Sequence, residues 1–154
     1  MPRITEDKVT RENGTSEALG QWETLLFSDS GGLTQFGAFV EILAPGASSS
    51  HAHWHEEEDE MVYMLDGEVV LIEGSDESPL LPGMAATFAA GAAREHRLEN
   101  RSDAPARYLV IGTRKPRDRV HYPRNNDRVL HVDRTSAERR WTHGDGRPAD
   151  PIPK

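Results

Sequence analysis

His53, His55, Glu60 and His96 are the residues of this 154-residue chain best suited to act together chemically. The run His53-Trp54-His55-Glu56-Glu57-Glu58-Asp59-Glu60 sets two imidazoles either side of one residue and close to a carboxylate, and His96 follows 36 residues after Glu60. In an extended strand, residues two apart point to the same face, so His53 and His55 can both aim at one ion. Imidazole suits several first-row metals, and a hard carboxylate oxygen widens the choice toward iron and manganese. The quartet therefore reads as a site for one divalent transition metal: Fe, Mn, Ni or Zn.

Positioning such a quartet takes strands, and strand signals dominate from about residue 33 to 113. Gln35 to Leu43 alternates and β-branched or aromatic residues recur, ending at the Ala44-Pro45-Gly46 turn. Met61 to Leu65 is a second strand, and Asp66-Gly67 predicts a tight hairpin with Glu68 to Glu73 as its return partner. Gly74 to Ser78 reads as a polar loop. Leu80 to Gly83, Ala85 to Ala89, Glu95 to Glu99 and Ala106 to Gly112 continue the series. Short strands at this spacing predict an all-β sandwich or barrel. Residues 1–20 are polar, with Asn13-Gly14-Thr15-Ser16 as a turn, and form an arm that either adds an edge strand or stays mobile. Beyond Arg114, Pro, Gly and charged residues predict a loop-rich tail whose apolar run, Val129 to Val132, suffices for one short strand. The resulting division is an N-terminal arm (1–20), a barrel (21–113) and an extended C-terminal tail (114–154).

The residues around the quartet resemble both signature motifs of the cupin superfamily. The first motif is matched by Gly46, His53-Trp54-His55, Glu60 and Gly67, with six residues rather than five between Gly46 and His53. The second is matched by Gly83, Ala89-Ala90-Gly91, His96 and Asn100, where Ala89 stands in place of the usual proline. The resemblance implies a double-stranded β-helix, or jelly-roll barrel, and assigns the metal to His53, His55, Glu60 and His96. His51 and His53 form a second His-x-His pair, but its distance to Glu60 departs from the family spacing, which sets His51 at the rim. Small cupins commonly pair, so the resemblance also implies a homodimer.

Three histidines and one glutamate leave one or two coordination positions free, the mark of a site open to substrate. The partner is then a small oxygenated molecule. Two chemistries fit a cupin of this kind: dioxygenase reactions with Fe(II), or isomerisation by polarising a carbonyl. The alternative is a non-catalytic module that binds a sugar or carboxylate unchanged. A complete ligand quartet favours the enzyme; the lack of an evident further acid or base favours the binder. For substrate contacts, alternation from Glu60 and His96 points to Met64 and Leu98, with Phe88, as apolar walls. Core packing would account for them equally. Arg94, just before His96, could hold a substrate carboxylate by a two-pronged contact or lie exposed in its loop.

Composition excludes other classes. The chain carries a formal charge of −8; residues 114–154 hold 11 Lys/Arg and 6 Asp/Glu, a net +5, leaving −13 for residues 1–113. An acidic body repels phosphate backbones, and the tail arginines are interleaved with aspartates and prolines without an aromatic stacking series, so nucleic acid is not an expected partner. No stretch approaches the roughly 20 apolar residues that cross a bilayer, and the N-terminus lacks the apolar core of a signal peptide, so a cytoplasmic protein without a membrane partner is expected. With no cysteine, there is neither disulfide nor thiolate ligand.

Overall fold

The computed structural model describes residues 3–154; Met1 and Pro2, the first residues of the expected arm, lie outside it. Thirteen strands and one helical turn follow in order among the described residues: β1 (Arg11–Ser16), β2 (Gly20–Leu25), α1 (Phe27–Ser30), β3 (Phe36–Leu43), β4 (Trp54–His55), β5 (Glu60–Asp66), β6 (Val69–Glu73), β7 (Asp76–Leu80), β8 (Ala85–Phe88), β9 (His96–Glu99), β10 (Ala106–Thr113), β11 (Arg117–Tyr122), β12 (Arg128–Asp133) and β13 (Glu138–His143). All pairings are antiparallel. They build a six-stranded sheet, β1-β2-β3-β10-β5-β8, facing a three-stranded sheet, β7-β6-β9; a third sheet, β13-β12-β11-β4, closes one end. This is the all-β jelly roll expected from the sequence.

The core lies between the first two sheets. Leu43, Val62, Met64, Tyr108 and Val110 from the large sheet meet Val69, Leu80 and Leu98 from the small one. Alternation explains the selection: Val62 and Met64 on β5 are buried, while Tyr63 and Leu65 between and beyond them are exposed. β3 is apolar on both faces because Val40 and Ile42 pack outward against Val9, Leu25 and Phe27. The N-terminal segment thereby covers the large sheet, with β1 as its edge strand.

Several local expectations change. Gly74 to Ser78, read as a loop, holds the start of β7, and that strand ends at Leu80 where the series was expected to run on to Gly83. Asp66-Gly67 makes no hairpin: both edges of β5 are taken by β10 and β8, so the chain crosses there to the opposite sheet and β6 pairs with β7 and β9. Gly67 makes that corner at φ 72°, and a Cβ on it would lie 2.6 Å from the Pro105 carbonyl oxygen. Asn13 to Ser16 is strand rather than turn, because Gly14 sits opposite Trp22 and leaves room for its ring, which a Cβ would meet at 2.5 Å. The tail holds three strands where one was expected. β11 buries Asp118 and Val120 on one face and exposes Arg117 and Arg119 on the other, a strand pattern without an apolar stripe. No helix among the described residues is long and apolar enough to cross a membrane.

Candidate metal centre

His53 precedes β4, Trp54 and His55 are β4, Glu60 opens β5 and His96 opens β9. A two-residue antiparallel bridge ties His53 to His96 through both backbone hydrogen bonds, His53 N to His96 O at 3.2 Å and the reverse at 3.0 Å. Their rings lie 4.8 Å apart, and the His55 ring stands edge-on to His53 at 5.1 Å. Ligand-capable atoms of His53, Glu60 and His96 fall within 4.8 Å of one another. His55 joins through Glu60: its Nε2 is 3.7 Å from Glu60 Oε2, while His96 Nε2 is 3.4 Å from Glu60 Oε1. The three histidines read from the sequence thus surround the Glu60 carboxylate.

Each imidazole is oriented by a separate device. His53 Nδ1 donates to the His51 carbonyl at 2.8 Å, which leaves Nε2 as its free lone pair. His55 Nδ1 donates to Asp118 Oδ2 at 2.6 Å, and the same carboxylate accepts from the Glu57 N–H at 2.9 Å. His96 stacks on Phe88 with centroids 3.5 Å apart and planes 5° from parallel. It is only 4% exposed, yet neither ring nitrogen has a hydrogen-bond partner. A buried polar atom left unpaired costs about 1–3 kcal/mol, so the Nε2 lone pair beside Glu60 and His53 suits a cation. The donor set, neutral imidazoles and one hard oxygen, is that of a first-row divalent ion.

Protonation favours the same form at His53 and Glu60, whereas His55 is drawn toward its charged form by the acids around it. Burial lowers His53 to about 4, against the pull of Glu60, so it is neutral at pH 7. Burial pushes Glu60 up, but the His96 contact and the neighbouring imidazoles outweigh it and hold the carboxylate below its ordinary range. For His55, burial is overcome by the Asp118 hydrogen bond and by the charges of Glu60 and Asp118, which raise it.

His55, Glu58 and Asp118 form a second cluster. It is a support for His55 rather than another ion site. The nitrogen facing the two acids is the protonated Nδ1, and Glu58, 8% exposed, accepts from Arg134 and from the Lys115 N–H (3.0 Å). Within the acidic Glu56-to-Asp59 run, Glu58 is thus buried and paired. His51 lies outside the quartet, its Nε2 bonded to the Pro153 carbonyl at 2.9 Å. Trp54 points outward and stacks on His121 (4.1 Å, 6°). Tyr122 of β11 covers His53 with ring centroids 5.6 Å apart, its burial pushing the phenol up to about 12.

Beside the quartet lies a cavity of about 200 Å³, with His53, Glu60 and His96 on its wall. Of the four substrate contacts read from the sequence, Phe88 and Leu98 line it. Met64 does not; at 0% exposure it is enclosed in the core. Arg94 is also elsewhere. Its side chain, 49% exposed, is engaged by Glu73 (3.0 Å) and Asp76, so the two-pronged contact it makes is with the protein itself. Arg97 borders the cavity with its guanidinium paired to Glu99 at 2.7 Å. Sequence reasoning missed Glu41 and Tyr108, which line the cavity and hydrogen-bond each other. The signal was present: Glu41 shares its strand face with Phe39 and Leu43, a charge at a core position. Larger hollows lie at the surface, such as one of about 600 Å³ between the mixed charges of Glu56, Arg117, Arg119 and Arg140, lined by no member of the quartet.

Comparison with solved structures gives a TM-score of 0.87 and 35% identity, over 97% of both chains, to a structure described as a sugar phosphate isomerase of the cupin superfamily from Silicibacter pomeroyi. A cupin domain profile matches residues 39–112. The chain belongs to the cupin superfamily. As a cupin, it also shares its fold with a structure from Acidithiobacillus ferrooxidans carrying a provisional sugar phosphate isomerase name (TM-score 0.82, 24% identity, 97% of both chains). A polyketide cyclase from Streptomyces resistomycificus is similar over 73% of this cupin and 79% of its own chain (TM-score 0.62, 22% identity). No curated protein matches the sequence.

Proposed function

We propose that this cupin holds one divalent transition metal through His53, His55, Glu60 and His96 and isomerises a small hydroxy-carbonyl compound in the adjoining cavity. The observation that carries this is His96, buried with both ring nitrogens unpartnered at the centre of two pre-oriented imidazoles and an ionised carboxylate. Bound there, the ion would act as a Lewis acid toward a substrate carbonyl. The protein's residues do the rest. Asp118 and the His51 carbonyl fix the histidine tautomers, and Phe88, Val62 and Val110 give the chamber apolar walls. At about 200 Å³ the chamber is smaller than the ~300–1,000 Å³ of drug-sized pockets, which suits a small metabolite. The name carried by the 35%-identical relative supports isomerisation over the dioxygenase alternative.

A non-catalytic carboxylate binder is opposed by the charge of the wall, where Glu41 and Glu60 both face the cavity and Arg97 is committed to Glu99. We carry the homodimer as part of this reading; Phe36, Tyr63 and Leu65 are the exposed apolar side chains it would cover, and light scattering would test it. The test of function is elemental analysis of protein purified without added metal, beside a His53→Ala/His96→Ala variant. About one metal per chain, lost in the variant, together with aldose–ketose interconversion, supports the proposal. A protein that takes up none of Fe(II), Mn(II), Ni(II) or Zn(II) overturns it.

A further inference from the structure

Isomerising a hydroxy-carbonyl compound through an enediol requires a group that takes a proton from carbon and gives it back. The quartet offers none, because its imidazole nitrogens and carboxylate are directed at one point and at one another. The remaining wall of the cavity holds one ionisable pair. Glu41 on β3 and Tyr108 on β10 are directly opposite in the strand register, and the phenol donates to Glu41 Oε1. Tyr108 is 1% exposed and belongs to the packed core, so it anchors the carboxyl at one place on the wall. Val62, Phe39 and Val110 line the same chamber, so the carboxyl sits among apolar side chains suited to the carbon skeleton of a substrate. An acid on a core-facing strand position is costly to bury, and here only one phenol offsets that cost among the described side chains.

We propose that Glu41 is the catalytic acid–base of this cupin, held by Tyr108 as a positioning residue, acting on the α-hydroxy-carbonyl unit of a free or phosphorylated sugar. The inference rests on the isomerase reading above. In the step, the Glu41 carboxylate takes the proton from the carbon bearing the hydroxyl; the C–H electron pair becomes the C=C bond of an enediolate as the carbonyl π pair moves onto its oxygen. A proton passes between the two adjacent oxygens, and Glu41 returns its proton to the neighbouring carbon. Atoms and electrons balance with no co-reactant. In the metal-free protein, burial raises Glu41 from 4.5 to about 7, with the Tyr108 hydrogen bond pulling it back down.

The experiment uses the full chain loaded with one metal ion, in D2O, with dihydroxyacetone, D-fructose and D-fructose 6-phosphate as separate probes. NMR follows deuterium entry at carbon and formation of the aldose. Wild type exchanges at least one probe, and which one tells a free sugar from a phosphorylated one. Glu41→Gln, nearly the same shape, is expected to lower kcat by roughly 10²–10⁴-fold with metal content and circular dichroism unchanged. Glu41→Asp should recover part of the rate. Tyr108→Phe should move the rising limb of the kcat–pH profile to higher pH, which loss of packing alone would not do. Exchange in Glu41→Gln within threefold of wild type, or a raised KM with kcat intact, overturns the inference while leaving the isomerase reading in place. Aldose formed without deuterium entering carbon overturns the inference alone; metal-loaded wild type that neither exchanges nor converts any of the three probes overturns the isomerase reading, and the inference with it.

Discussion

Asp118 of the C-terminal strands hydrogen-bonds Nδ1 of His55, a residue 63 positions earlier, at 2.6 Å. The bond fixes which nitrogen of His55 is free, and the carboxylate is itself held by the Glu57 N–H at 2.9 Å. Partners of this kind are worth about 10–100-fold in metal affinity. Asp118→Ala is expected to weaken binding of Mn(II) by that factor in competition titration, with the far-ultraviolet spectrum retained. Affinity equal to wild type would remove Asp118 from the centre.

His96 gives a ligand-linked stability test. Its unpartnered nitrogens leave metal-free protein with an unsatisfied buried group, so adding Mn(II) should raise the melting temperature of the wild type. At a hundredfold excess over Kd the gain is about 2.7 kcal/mol. In His96→Ala the metal-dependent rise should vanish in calorimetry, whatever the variant's own melting point.

Glu41 predicts a pH dependence. Its folded-state value, about 7, is raised above the unfolded 4.5 by burial. The folded state therefore binds the proton more tightly, and the stability this provides is complete below pH 4.5 and lost as pH rises through 7. The upper bound is about 3 kcal/mol. Urea unfolding of metal-free wild type and Glu41→Gln at pH 5, 6, 7 and 8 should show wild type losing stability relative to the variant along that series. A constant difference would contradict it.

Gly67 should not tolerate a side chain. At φ 72° and with the Pro105 carbonyl 2.6 Å from an added Cβ, Gly67→Ala is expected to cost more than the ~1 kcal/mol of the conformation alone, because the clash is with backbone. Gly46→Ala, also at positive φ (83°) but with open space around its Cβ, is the control and should lose less in the same thermal melts.

The quartet and the barrel were legible for one reason. Strand alternation and short spacers carry both, so His53, His55, Glu60 and His96 could be read as neighbours before any coordinates. Arg94 was misread because proximity in sequence to His96 says nothing about direction: the chain leads it to Glu73 and Asp76. Met64 was assigned the correct face but the wrong depth, since alternation fixes sides and not distance from the chamber. Glu41 was overlooked because one acid in an apolar strand has no spacing motif to announce it. The tail strands escaped notice because β11 turns inward with Asp118 as well as Val120, and an inward aspartate looks like loop until the histidine it serves is known.

The pairing of β11 with β4, His55 opposite Val120, makes the boundaries of the matched cupin segment a poor guide to where this molecule can be cut. A fragment of residues 39–112 would contain every member of the quartet and still lack Asp118, the aromatic cover of Tyr122 and the strand that holds β4 in place. Laboratory fragments, fusion junctions and grafts of this centre into other barrels should accordingly carry the chain through His143, treating those last strands as part of its housing.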